Sequence, residues 1–401
     1  MSPELIECIQ RQAWTTEKTM NHSTKPALRF TRLQLENWRN FTSVDVELPR
    51  RVILVGPNDS GKSNFLDVFR FLHDMAVAEG RFMTAISKRG GAARVKSLAA
   101  KHGTDVALHV FVGNDRSKRR WEYELSFRRD DYLERITKEQ VLAQGKAILS
   151  RPDKEEEKDA IQLTQTHLEQ VSRNLKFREL VDFFASITYA HLVPQVLRRL
   201  VFPSTSDDPY GGNLLRKIAA LSEGERGKRM ALVRQALCAA VPQLEDVEFW
   251  LDNSKDPHVR VRYEHMHGIW QLEDQLSDGT LRLFGLVWAF LDGTGPLLLE
   301  EPELCLHPGV VRHLPQMFSR LQGLSGRQIF ISTHSPELLR DEGIGLHEVL
   351  LLQPGPDGTT VRPASDFEEI KTLVGSGLSL EEAVLPKTSP DRAGGIALVK
   401  E

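Results

Sequence analysis

The sequence predicts an α/β fold: a buried sheet with helices against it, an N-terminal antiparallel β-subdomain ahead of it, and a helical insert lobe. Three observations lead there. Arg51–Val55 is a short apolar strand that runs into a glycine-rich turn and then into Phe65, Phe69 and Leu72 at helical spacing. Upstream and downstream of that unit, apolar residues alternate with charged ones at the period of half-buried strands. Late in the chain two more apolar strands end abruptly in polar side chains, Glu300-Glu301 and His334.

Composition bounds what such a fold does. The chain has 401 residues, 40% hydrophobic and 27% charged, enough for a sizeable core and two subdomains. A net charge of -3 provides no global basic field for nucleic acid. Cys8, Cys238 and Cys305 form no C-x-x-C pair, which argues against a disulfide framework or zinc knuckle and suits a reducing, cytoplasmic setting. No apolar run is long enough for a transmembrane helix, and the N-terminus lacks the apolar region of a signal peptide.

In order, residues 1–27 read as a flexible extension without periodicity. Residues 28–130 form the first part of the fold. Phe30, Leu33 and Leu35, then Val44, Val46 and Leu48, mark two strands leading to the phosphate loop. Between them, Glu36–Phe41 is either a turn with inward aromatics, the favoured reading, or a place where Arg39 and Trp38 reach a nucleotide. Val106–Val112 and Trp121–Phe127 are two more strands, joined by a basic tip at Arg116–Arg120 that reads as a solvated turn before it reads as a nucleic-acid contact.

Residues 131–245 are expected to be a mainly helical lobe, with a helix from about Lys154 to Leu175 carrying Ile161, Leu168 and Val171 on one face. Leu197–Leu200 would place basic charge on it. Residues 246–352 return to strands, at Val247–Leu251 and Val259–Tyr263. His258, His265 and His267 lie there without an acidic or cysteine partner at ligand spacing, and read as strand-face histidines before a metal site. Residues 353–401 read as a tail rich in Pro, Gly and Ser.

The chemistry concentrates in four places. Gly56-Pro57-Asn58-Asp59-Ser60-Gly61-Lys62-Ser63 matches G-x-x-x-x-G-K-[ST], in which backbone N–H groups wrap a triphosphate and the following helix directs its dipole at the anion. Lys62 would reach the β/γ-phosphates and Ser63 would ligate Mg²⁺. Leu276–Leu281 opens a helix with Ser277 as N-cap and Gly279 near its start, a second anion-facing terminus. Glu300 and Glu301 end an apolar strand at the edge where nucleotides sit, one suited to the Mg²⁺ shell and the other to accepting a proton from attacking water. Ile329–Thr333 delivers His334 to the same edge.

These motifs in this order resemble the ABC/SMC class of P-loop ATPases over roughly residues 28–352, with Leu276–Leu281 as the signature that opens the helix after it. Asn37–Phe41, Leu-Ser-Asp-Gly-Thr at 276–280 and Glu301–Pro308 resemble the RecF- and OLD-like predicted ATPases, as a stand-alone head. The resemblance implies ATP and Mg²⁺ as cofactors, with nucleotide contacts from residues 56–63, Asn64 and Arg39. Ser277, Asp278 and Gly279 would meet the ATP of a second subunit. Ser63 and Glu300 are the implied metal residues, and Glu301 and His334 the catalytic ones, the latter sensing the γ-phosphate.

Two departures stand out. Most of the class has Asp where Glu300 stands, so slow turnover is expected, and an early-strand glutamine of the class has no counterpart, since no Gln occurs from Phe65 to Glu139. The implied partners are a second copy, sharing ATP in a head-to-tail homodimer, and a separate effector protein. A Toprim nuclease does not fit in the 49 residues after Leu352. The expected role is regulation of that effector in bacterial anti-phage defence. The alternative is a RecF-like ATPase that binds DNA in repair.

Overall fold

The computed structural model describes residues 27–101, 103–198, 208–264 and 268–388. His265 and His267 lie outside the described residues, as do Arg199, Leu200 and nearly all of the N-terminal extension.

Two six-stranded sheets enclose the helix that follows the phosphate loop. The first, antiparallel throughout, has the order β2-β1-β4-β5-β6-β7, where β1 is Arg29–Trp38, β2 Phe41–Glu47, β4 Val106–Gly113, β5 Trp121–Asp130, β6 Leu133–Ala143 and β7 Lys146–Arg151. The second has the order β15-β14-β3-β13-β12-β8. It comprises β3 (Arg51–Val55), β8 (Thr188–Ala190), β12 (Leu297–Glu300), β13 (Ile329–Thr333), β14 (Val349–Gly355) and β15 (Gly358–Pro363), and is parallel except for the β14–β15 hairpin. A three-stranded sheet, β11-β10-β9, comprises β9 (Leu244–Leu251), β10 (Pro257–Tyr263) and β11 (Trp270–Leu272).

Strand β3 is buried along its whole length, as a central parallel strand covered on both faces must be. Val52 and Leu54 face the core shared with the antiparallel sheet, while Ile53 and Val55 face the core beneath the helix Asp278–Leu291. The helix Lys62–Ala76 joins the two sheets. Phe69 lies 4.7 Å from Phe30 of β1 and 4.5 Å from Phe330 of β13, ring centre to ring centre.

Three expectations are corrected. Residues 133–151 are strands β6 and β7, not part of a helical lobe. Their alternation is disguised because an inward position carries Glu139, fully buried against Arg151 at 2.7 Å. The helix expected near 154–175 does not form. Asp153 accepts the Glu155 and Glu156 N–H groups and Asp159 accepts that of Ile161, local turns that compete with helix. Ile161, Val171 and Leu175 stay exposed while Leu163 and Leu168 are buried. Helix does occupy Leu214–Ala220 and Glu223–Ala240. The expected tail is also folded as far as residue 388: β14 and β15 widen the parallel sheet, and the helices Glu368–Gly375 and Leu380–Val384 bury Ile370 and Val384. Among the described residues no helix is long and apolar enough to cross a membrane.

Candidate nucleotide site

Strands β3, β12 and β13 are neighbours in one parallel sheet, so their carboxyl ends bring together residues far apart in sequence. Glycine is required at two points of the phosphate loop. A Cβ on Gly56 would stand 2.6 Å from the Leu352 carbonyl and from Ser60 Oγ. Gly61 has φ +94° and packs against Asn40. Lys62 is buried, and Nζ donates to the Gly56 and Pro57 carbonyls at 2.9 and 3.0 Å. Burial pulls its pKa down to about 8, opposed by Glu301 and Glu300. Asn58 and Asp59 are exposed at the tip.

The turn before β2 braces this loop. Trp38 and Phe41 are fully buried, which is the inward-aromatic alternative, and Trp38 Nε1 donates to the Asn64 carbonyl at 3.1 Å. Asn40 Nδ2 donates to Ser60 O at 2.8 Å and to Thr359 Oγ1 at 2.7 Å, and Asn64 Nδ2 donates to Asn40 Oδ1 at 2.9 Å. Arg39 is held by Asp67 at 3.7 Å and donates to Arg94 O at 3.3 Å.

Glu300 ends β12 facing the loop. Ser63 Oγ donates to Glu300 Oε1 and the Tyr189 hydroxyl to Oε2. His191 Nδ1 lies 3.8 Å from the same Oε2. Burial, and then the Glu300 charge, push the Tyr189 phenol up, so it stays a neutral donor. A hydroxyl and a carboxylate in contact are the hard oxygen donors that suit Mg²⁺, which takes few protein ligands and completes its octahedron with phosphate oxygens and water. Among the described residues there is no group of three or more His, Cys, Asp or Glu that could hold a metal. The donor set and the glycine cradle therefore fit ATP with Mg²⁺.

Glu301 follows with φ +44°, its N–H donating to Ser332 O at 3.0 Å. Its Oε1 lies 3.5 Å from His334 Nε2. Burial, then Lys62, lower the His334 pKa. Glu303, which sequence reasoning left without a role, is half-buried, and desolvation raises its pKa; its Oε1 accepts from Thr333 Oγ1 at 2.5 Å and from His334 N at 3.2 Å. It ties down the end of β13 where His334 begins the next turn.

At the helix Asp278–Leu291, Ser277 caps as expected, accepting from Thr280 N at 3.1 Å. Asp278 is held by Gln195 at 3.1 Å and Arg198 at 2.6 Å, so the basic charge of Leu197–Leu200 is partly spent on the signature. Gly279 has a neighbour in its own chain, since a Cβ there would stand 2.8 Å from Cys305 O. Sequence reasoning missed Tyr189 and His191 because β8 has three residues, too few to display a period. His258 bonds to Glu273 at 2.7 Å, a structural pair within the small sheet.

The family described as "AAA domain, putative AbiEii toxin, Type IV TA system" matches residues 51–340. The chain belongs to this family of AAA ATPases. Endonuclease GajA of Bacillus cereus (strain VD045) is 36% identical over 90 residues, 22% of this chain and 14% of that protein. The glycine betaine uptake system ATP-binding protein YehX of Escherichia coli (strain K12) is 26% identical over 242 residues, 52% of this chain and 73% of that one. Among solved structures, an Smc head bound to the C-winged helix domain of ScpA aligns with TM-score 0.50 at 12% identity, covering 88% of this chain and 99% of that one. The SMC head domain from Thermotoga maritima aligns at TM-score 0.47 and 15% identity, covering 84% and 98%. The fold is that of an ABC/SMC-type P-loop NTPase. The chain spans about a seventh of GajA, so the likeness to that protein is confined to a segment.

Proposed function

We propose that the chain is a Mg²⁺-dependent ATPase head that closes head-to-tail with a second copy around two ATP molecules and so controls a separate effector, in the cytoplasm, as part of bacterial anti-phage defence. The observation that carries the hydrolytic part is the placement of Glu301 and His334 on one sheet edge with Lys62, Ser63 and Glu300. Bound Mg²⁺ would supply charge neutralisation at the phosphates. Lys62 and the loop N–H groups bind, Ser63 and Glu300 hold the metal side, and Glu301 takes a proton from water while His334 lies beside it. We assign to His191, at the end of β8 beside Glu300, the contact that a glutamine makes elsewhere in the class. Slow turnover is the expected consequence of Glu300 in place of the usual Asp.

Ser277, Asp278 and Gly279 would face the partner's ATP. Effector control and defence rest on the OLD-like resemblance and on the toxin description carried by the family. Charge pairing gives the DNA-clamp alternative less support: Lys118, Arg119 and Arg120 of the basic tip pair with Glu47, Glu122 and Glu179.

The test uses Glu301→Gln. It should bind ATP, release phosphate at about 10²-fold below the wild-type rate or slower, and double in mass by light scattering only with Mg²⁺ and ATP. Full activity in this variant would remove Glu301 from the reaction, and a mass that never changes would remove the shared site. Tagged in its native host, the trapped form should carry a second protein at fixed stoichiometry; DNA alone, lost as salt rises, would make the protein a clamp instead.

A further inference from the structure

Arg282 lies in the second turn of the helix Asp278–Leu291 and is 3% exposed, and among the described residues its guanidinium donates to two backbone carbonyls rather than to a carboxylate. Nη1 donates to Leu192 O at 2.5 Å and Nη2 to Glu301 O at 2.6 Å. Nε is buried without a partner among the described residues. A buried cation spent on two backbone carbonyls is costly unless those carbonyls must be held. They flank the metal-side strand end: Leu192 follows His191, and Glu301 follows Glu300.

The Glu301 peptide is also unusual. It is a non-glycine residue in the left-handed region, which persists only where its surroundings hold it. Its N–H is held by Ser332 of β13, and its carbonyl by Arg282 together with Leu304 N at 3.2 Å. The same helix meets the end of this turn through the close approach of Gly279 to Cys305 O. The helix that presents Ser277 and Gly279 outward thus grips the 301–305 turn at two points.

We propose that Arg282 is a positioning residue for hydrolysis: through the Glu301 carbonyl it fixes the turn that directs the Glu301 carboxylate toward His334, and it ties that direction to the seating of the signature helix. This rests on the ATPase reading and extends it.

The experiment measures ATP affinity, kcat and KM in the full chain for wild type, Arg282→Met, Arg282→Lys, Glu301→Gln and the double variant Arg282→Met/Glu301→Gln, with amide hydrogen exchange as an activity-independent readout. Arg282→Met should bind ATP within about 3-fold of wild type while kcat falls by about 10- to 100-fold, the loss expected of a misplaced reacting group. Arg282→Lys, which reaches one carbonyl, should recover part of that loss. In the Glu301→Gln background the same substitution should change the residual rate by less than about 3-fold, because a residue acting through Glu301 has nothing left to position. Exchange at the Glu301 and Leu304 amides should rise in Arg282→Lys while the amides of β3 stay protected.

Equal kcat losses in both backgrounds, or unchanged turn exchange in Arg282→Lys, would overturn the inference. Should Arg282→Met fail to fold, the lysine variant carries both readouts. Absence of phosphate release from the wild type would instead count against the ATPase reading, and turn exchange would still decide the role of Arg282.

Discussion

Ionisable groups are buried in two regions of this molecule, and they are treated in opposite ways. At the far end of the antiparallel sheet, Arg151 donates to Glu139, to Glu156 and to the Gln162 and Gln165 carbonyls, while Glu139 also accepts from the His167 N–H and the Tyr123 hydroxyl. Each charge there is enclosed and answered, and we read the pair as ionised although burial pushes the Glu139 carboxyl up. At the nucleotide edge, Ser60 Oγ, His191 Nδ1, Arg282 Nε and Glu303 Oε2 are buried without a partner among the described residues. Glu301 sits there in a left-handed conformation. A satisfied network specifies a rigid structure, whereas an incompletely satisfied one retains capacity for what binds. The comparison teaches that burial of charge alone does not mark a site; the convergence of Lys62, Ser63, Glu300, Glu301 and His334 from three strand ends on one sheet edge is what sets this region apart.

The largest expected effect comes from breaking the satisfied side. Arg151→Met strands Glu139 and should cost about 3–5 kcal/mol of stability in chemical denaturation. ATP affinity of the molecules that remain folded should not change; a loss of affinity would mean that the two regions are coupled.

Lys62→Ala should act the other way. It should leave the denaturation midpoint nearly unchanged and weaken ATP binding by about 100-fold, roughly 2.7 kcal/mol, as loss of charge-assisted contacts to phosphate predicts. Calorimetric titration checks this, and tight binding by the variant would break the assignment of the loop.

The pH response separates the regions next. Burial, with Arg151 beside it, holds the His167 pKa down to about 4 against a usual 6.5. The unfolded chain therefore binds a proton that the folded chain refuses between those values, and stability falls as pH drops from about 6.5 toward 4, by about 2 kcal/mol once the shift is discounted for solvent screening of the partly exposed ring. Denaturation curves of His167→Gln should be flatter across this window; an unchanged slope would place the titration elsewhere.

The smallest effect is expected of Tyr189→Phe, which removes one hydrogen bond to Glu300. A change of about 1 kcal/mol in Mg²⁺-dependent ATP affinity, with metal-free binding unchanged, would place Tyr189 on the metal side of the site.

Legibility in the sequence followed the same division. Local chemistry was readable where one segment supplies the whole motif: the phosphate loop needs only its own glycines, Lys62 and Ser63, and the Ser277 cap needs only Thr280 three residues on. Strands β4 and β5 displayed clean alternation. Strands β6 and β7 did not, because Glu139 occupies an inward position and finds its partner only across the β6–β7 pairing. The Asp153 and Asp159 turns broke a helical spacing that has no buried face to sustain it.

By itself the sequence determined the strand–loop–helix phosphate cradle, the acidic strand end and the histidine strand, since each is a short-range pattern enforced by backbone geometry. Only the tertiary structure decided that Tyr189 and His191 stand beside Glu300, that Asn40 braces Gly61 and that Arg282 holds Glu301. Those relations depend on which strands lie side by side and on how a helix packs across their ends. Neighbours of that kind are set by the burial of both sheets around Phe30, Phe69 and Phe330, and no local period records them.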